Sequence, residues 1–305
     1  MKKIRHFIEF QFLLGLGLTT RWLSRQALLR FGARLGDIIY YCFPVRKNVT
    51  VTHLTSAFPE KSPSEISYIA RGAYRNLGMN TLEHLALPNL TRDALLDLVV
   101  FENLDVLKEA QARGKGTVLV GGHFGNWEYP SCALGAAGYR LGAVVAEISN
   151  KYLDKEINDH RRMTGLEVIP KGTATRGIVR LLRNNGIVGM LMDQNAGSRG
   201  VFVNYFGRLC SAPKGPASIA LKMGAAMVFG ASIRQPDGTI RVVFEPVIID
   251  YEAGATEDNI RDITQRCTNR LEHYARLQPD QWFWMHRRWK SRPPGENEVA
   301  RQMSS

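Results

Sequence analysis

The stretch T117-V-L-V-G-G-H-F-G-N-W-E-Y-P-S-C-A-L-G135 decides how the rest of the chain is read. It opens with a short apolar run, breaks at two glycines, turns through a loop holding one histidine, and resumes as a helical pattern. An apolar run of this length ending in glycine reads as a strand buried on both faces, followed by a loop and a helix. His123 then lies at the carboxyl end of a strand, where open α/β sheets form their ligand crevice. Gly121, Gly122 and Gly125 allow backbone or substrate to approach where a side chain would obstruct. Asn126 is placed to cap the helix, which puts Glu128 in its first turn.

His123 and Glu128 are five residues apart, a spacing that a regular helix would separate and a turn can close. A carboxylate bonded to one ring nitrogen fixes the tautomer and leaves the other nitrogen free to take a proton from a hydroxyl. The same pair also fits a metal site or a structural contact. No third ligand stands nearby and the H-E-x-x-H spacing is missing, so no metal is expected. A serine-hydrolase elbow is lacking as well, and the glycines at 114 and 116 precede their strand, the wrong order for a dinucleotide or phosphate loop. No nucleotide or other cofactor is implied.

Outward from this segment the texture repeats. LGAVVA (141–146), LEVIP (166–170), IVGMLM (187–192) and AMVFGASI (226–233) alternate with helical stretches, predicting an α/β fold with a mixed, mainly parallel sheet flanked by helices. Gln235-Pro236-Asp237-Gly238 lies between two of the apolar runs and predicts a hairpin, hence one antiparallel pair. Residues 62–86 begin Ser-Pro-Ser-Glu and place Ile66, Ile69, Ala70, Ala73 and Leu77 on one face, a capped helix. Residues 256–277 read as a closing helix.

At the start, Lys2, Lys3 and Arg5 precede the apolar residues 7–18, but Glu9 and Gln11 interrupt the run and no small-residue cleavage site follows. It falls short of the ~20 apolar residues that span a bilayer. Together with residues 22–43 it predicts a long amphipathic helix for a membrane surface or for packing on the domain. The organisation expected is a helical, membrane-associating segment over 1–45 and a catalytic domain over 46–305.

The chain has 305 residues, 45% of them hydrophobic, enough for a substantial core. Lys and Arg number 40 against 28 acidic residues, a formal charge of +12 that favours anionic partners: nucleic acid, anionic lipid or an acidic protein. No zinc-finger or RNA-recognition motif is present, so nucleic acid is not the expected partner. Cys42, Cys132, Cys210 and Cys267 are scattered with no Cys-x-x-Cys pair, pointing to reduced, packed thiols.

G-G-H-F-G-N-W-E resembles the H-x4-D/E signature of glycerolipid acyltransferases, in the H-x4-E form of the late acyltransferases of lipid A biosynthesis. Residues 43–62 (FPVRKNVTVTHLTSAFPEKS), 201–225 (a Phe-Gly turn, then a Gly-Pro helix) and 278–293 (QPDQWFWMHRRWKSRP) are similar to further segments of that family, in the same order. The resemblance implies transfer of a fatty acyl group from acyl carrier protein to a hydroxyl of a lipid A precursor, at the cytoplasmic face of the bacterial inner membrane. By the same resemblance His123 and Glu128 form the catalytic pair. The resemblance further implies that Arg161 and Arg162 face the donor or the lipid phosphate and that Asp193 belongs to the same crevice, with Gly122 and Asn126 as further candidate substrate-binding residues. The Glu-Gly-Thr-Arg element of the phospholipid branch is missing, which argues against a lysophosphatidate acceptor. Two alternatives stand: an acyltransferase using acyl-CoA on another glycolipid such as a phosphatidylinositol mannoside, and a non-enzymatic basic binding protein.

Overall fold

The computed structural model describes residues 2–43 and 45–293; Met1, Pro44 and residues 294–305 lie outside it. Nine strands are described. β1 (Val99–Glu102), β2 (Thr117–Gly121), β3 (Leu141–Val145), β4 (Glu167–Pro170), β5 (Ile187–Leu191), β8 (Ala226–Arg234) and β9 (Ile240–Pro246) form one sheet in the order β1-β9-β8-β2-β5-β3-β4. Every neighbouring pair is parallel except β8 with β9. The expected turn closes that pair, with the Gln235 N–H donating to the Thr239 carbonyl at 2.8 Å and Asp237 accepting from the Thr239 N–H at 2.9 Å. β6 (Val201–Tyr205) and β7 (Arg208–Ala212) make a separate hairpin, and β1 is a short edge strand; neither carries an apolar run long enough to announce itself.

Alternation along β2 feeds both faces of the sheet. Val118 and Val120 enter one buried cluster, while Leu119 packs against the other with Tyr129, Leu134 and Val228. Helices α4 (Pro63–Ala86) and α11 (Glu257–Leu277) begin as predicted. Ser62 and Glu65 form a reciprocal capping box on α4, and the Thr256 hydroxyl accepts from the Asn259 N–H on α11.

The N-terminal segment is two helices instead of one, α1 (Lys2–Thr19) and α2 (Arg25–Cys42). Thr20–Trp22 forms a 3-10 turn, and Ser24 starts α2 afresh by accepting from the Ala27 N–H. No described helix is long and apolar enough to cross a membrane. α2 packs on α4 where Gly32 and Gly36 face Gly78, so close that a Cβ on any of them would strike backbone. Arg71 of α4 clasps Asp37 of α2 with two bonds of 2.7 and 2.9 Å. Three cysteines are buried as expected; Cys42, at the end of α2, is exposed.

Candidate active site

Parallel pairing of β2 with β5 sets Gly121 opposite Leu191, and the Met192 N–H extends the ladder by donating to the Gly121 carbonyl at 3.0 Å. Two residues past each of these partners stand His123 and Asp193, side by side at the carboxyl end of the sheet. The Asp193 carboxylate receives the His123 ring Nδ1 at 2.8 Å and the His123 backbone N–H at 2.8 Å. The Trp282 indole N–H donates to it as well, at 2.9 Å. Asp193 is 2% exposed, and burial alone would raise its pKa. The positive charge shared with His123 and the three donated bonds win, holding the carboxyl down at about 2. For His123 burial pushes the other way, and the charge and hydrogen bond of Asp193 override it, raising the imidazole above its ordinary value.

The hydrogen bond that the spacing suggested from Glu128 is therefore made by Asp193. Glu128 instead holds Arg161 of helix α8 (Lys151–Met163) in a two-pronged pair, Nε to Oε2 at 2.9 Å and Nη2 to Oε1 at 2.6 Å. Burial would raise the Glu128 pKa, but Arg161 lowers it below the usual carboxylate value, so Glu128 is an anion at neutral pH. The third guanidinium nitrogen of Arg161 donates to Asn158 at 2.9 Å. Arg162 is exposed and paired with Asp159 at 2.9 Å along the same helix, outside this constellation.

Asn126 caps helix α7 (Tyr129–Ala136), with its side-chain oxygen accepting the N–H groups of Glu128 and Tyr129, each at 3.0 Å. Glu128 thus sits just before the helix and not inside its first turn. The glycines of the loop admit the protein's own groups more than a substrate's. A Cβ on Gly122 would press on Leu271 and on Asp193, and Gly125, at φ +54°, lies against the Ser232 carbonyl. Removing those side chains is what lets the loop settle onto β8 and onto Asp193.

Behind the loop lies a polar cluster that pattern reading missed. Asn76, Asn80 and Glu83 recur at helical spacing on α4 and face the loop. Asn76 and Asn80 donate to the Gly125 carbonyl at 3.0 and 2.5 Å, and Glu83 accepts from Asn126 at 2.8 Å. Glu83 is fully buried between Arg25 of α2 and Arg234 at the end of β8. The arrangement ties α2, α4, β8 and the histidine loop to one point. Its signal in the sequence was a polar stripe on an otherwise packed helix face.

The C-terminal segment fixes the other side. Trp282 bridges to Phe124, and the Phe283 N–H donates to the His123 carbonyl at 3.0 Å. Its aromatic residues pack inward: Trp282, Trp284 and Trp289 are buried, as is Arg288. His286 accepts the Asn195 N–H at 2.9 Å, and burial pushes its pKa down to about 4, so it is neutral. The open side of the His123 ring is bordered by Trp127, Phe283 and Gln194, whose amide nitrogen stands 3.5 Å from Nε2.

With Nδ1 committed to a carboxylate, the imidazole carries its proton there and presents the Nε2 lone pair outward. Among the described residues no serine or cysteine bonds to it. Fold and site thus set a histidine with one ring nitrogen uncommitted at the carboxyl end of a mainly parallel sheet. The chain belongs to the bacterial lipid A biosynthesis acyltransferases, whose family model matches residues 1–291, and it is an O-acyltransferase. It is 26% identical over 290 residues to the lipid A biosynthesis palmitoleoyltransferase of Escherichia coli K12, covering 93% of this chain and 92% of that protein. The lipid A biosynthesis lauroyltransferase of the same organism is 24% identical, with 92% of each chain covered. A phosphatidylinositol mannoside acyltransferase of Mycobacterium tuberculosis H37Rv is 27% identical over 194 residues, 62% of this chain and 60% of that one.

Separate partners for His123 and Glu128 make a testable distinction. Glu128→Ala leaves the Asp193 contact intact but strips Arg161, whose side chain is only 15% exposed, of its counterion. Turnover is expected to fall about 10²-fold through misplacement of the site wall. The acid limb of the kcat/KM profile stays close to that of the wild type, because Asp193 is the larger influence on His123. A collapse of that limb in Glu128→Ala would return Glu128 to the role of orienting the ring.

Proposed function

We propose that this enzyme moves a fatty acyl group from an acyl carrier protein thioester onto a hydroxyl of a lipid A precursor, with residues 46–305 carrying the chemistry and residues 1–45 seating it on the cytoplasmic face of the bacterial inner membrane. One observation carries the mechanism: His123 is anchored at Nδ1 by a buried carboxylate, with Nε2 turned to the open side of the site. Nε2 removes the proton as the acceptor oxygen attacks the thioester carbonyl. The tetrahedral intermediate expels the thiolate, which takes the same proton from the imidazolium. A thioester is already activated, so no covalent enzyme intermediate or cofactor is needed. Positioning and charge stabilisation supply the remaining rate.

The acceptor class is supported by the family and by the full-length similarity to two lipid A transferases. Membrane seating is supported by α1, where Ile4, Ile8 and Phe12 are each more than 60% exposed and Trp22, just beyond, is 80% exposed. α1 rests on α8, with Phe7 and Phe10 against Tyr152 and Asn150 donating to the His6 carbonyl at 2.8 Å. The helix bearing Arg161 therefore links the exposed apolar surface to the site. The net charge of +12 suits an acidic carrier and a phosphorylated glycolipid.

Mass spectrometry of lipids formed by purified enzyme tests this reading. Acyl carrier protein and coenzyme A thioesters are offered against a lipid A precursor, a phosphatidylinositol mannoside and a lysophospholipid. The expected product is an ester on the lipid A precursor with the carrier-protein donor. Product formed only on the mannoside with the coenzyme A donor would replace the proposed acceptor and donor while leaving the base in place.

A further inference from the structure

Attack on a thioester places negative charge on its carbonyl oxygen, and a hydrogen-bond donor there contributes strongly to such catalysis. The donors around His123 are mostly committed. In the loop, the N–H groups of His123, Phe124 and Gly125 go to Asp193, Gly122 and Gln281, at 2.8, 2.8 and 3.0 Å. Those of Glu128 and Tyr129 go to Asn126. Arg161 spends its three nitrogens on Glu128 and Asn158.

Gln194 differs. Its side-chain nitrogen lies 3.5 Å from His123 Nε2, too long for a committed bond, and no other described group engages the amide. Its backbone is fixed nonetheless. The Gln194 carbonyl accepts from Arg288 Nη1 at 2.9 Å, and the same nitrogen donates to the Ser211 carbonyl at 2.8 Å. Arg288 is 0% exposed. On either side, Asp193 is bound to His123 and Trp282, and the Asn195 N–H to His286. Residues 193–195 are thus held one by one, while the Gln194 side-chain amide stands 3.5 Å from the open nitrogen of the base.

We propose that the Gln194 side-chain amide is the oxyanion donor of the acyl transfer, with Arg288 as the residue that positions it; this rests on His123 being the base. An acceptor oxygen delivering its proton to Nε2 sits roughly 2.6–3.2 Å from that nitrogen. The carbonyl carbon it attacks is one new bond away, and the carbonyl oxygen one further. An amide 3.5 Å from Nε2 borders that volume. As the oxygen–carbon bond forms, the carbonyl π pair moves onto oxygen and the amide N–H stabilises it. When the pair returns, the carbon–sulfur bond breaks and the thiolate takes the proton from His123.

The test uses Gln194→Met, which keeps the length of the side chain and removes both donors. Melting temperature should hold, since the amide makes one long contact. With the donor and acceptor that wild type turns over, kcat should fall about 10²–10³-fold, with the donor KM within about twofold. Binding supplies a readout that needs no acceptor. A tetrahedral phosphonate analogue of the acyl-pantetheine thioester should bind wild type and lose about 10²-fold in affinity on the variant, while a thioether analogue without the carbonyl binds both alike. A kcat within threefold of wild type, or equal phosphonate affinity, would overturn the assignment. Normal turnover by His123→Ala would instead remove the base on which it rests, whatever Gln194→Met does.

Discussion

His123→Ala is expected to be a folded protein with acyl transfer reduced about 10²–10⁴-fold. The side chain is half-buried and makes one strong bond, to Asp193. Truncation does not orphan that carboxylate, because the backbone N–H of residue 123 and the Trp282 indole still donate to it at 2.8 and 2.9 Å. A melting curve close to wild type follows. Catalysis has no such reserve. His160, the nearest other histidine in sequence, is occupied by the His84 carbonyl at 3.2 Å and Glu156 at 3.3 Å, while His286 is held as an acceptor by the Asn195 N–H. Loss of the base alone is worth about 10²–10⁴ in rate. Turnover by the variant within tenfold of wild type would end the general-base mechanism.

Much of this site was legible before any fold was known. The apolar run, the two glycines and the histidine placed His123 at a strand end, and Asn126 was readable as a cap. The partner of the histidine was not readable, for a topological reason. Asp193 follows its strand just as His123 follows β2, but only the pairing of β2 with β5 makes those ends neighbours. In the sheet β5 lies between β2 and β3, so the strand beside β2 is not the next one in sequence. A carboxylate five residues away therefore looked nearer than one seventy residues away. Glu83 and Arg234 were hidden differently. A buried ion pair contradicts the rule that core positions are apolar, and it is tolerated here because two arginines and three asparagine contacts satisfy the cluster together. The same cluster joins α2 to the histidine loop through Arg25, so the N-terminal segment is bound into the site's foundations instead of being appended to them.

Asp193→Asn should be nearly as damaging as loss of the base, although it changes a single atom. The wild-type carboxylate accepts three bonds: Nδ1 on one oxygen, and the His123 N–H with the Trp282 indole on the other. An asparagine has one acceptor oxygen. Two fixed donors compete for it against one, so the oxygen takes the backbone and indole side and the NH₂ group faces Nδ1. That contact makes Nδ1 an acceptor and moves the ring proton to Nε2, the nitrogen that must be bare to receive the substrate proton. A carboxylate-to-amide change that fixes the wrong tautomer costs on the order of 10⁴ in kcat in serine proteases, and a loss of that order is expected here. The pH profile separates this cause from unfolding. Asp193 is the main influence raising His123, so without its charge burial prevails and the imidazole pKa drops. The acid limb of the residual activity should therefore move to lower pH, since the ring stays unprotonated further into acid. A variant within tenfold of wild type, or an acid limb that does not move, would remove Asp193 from the mechanism.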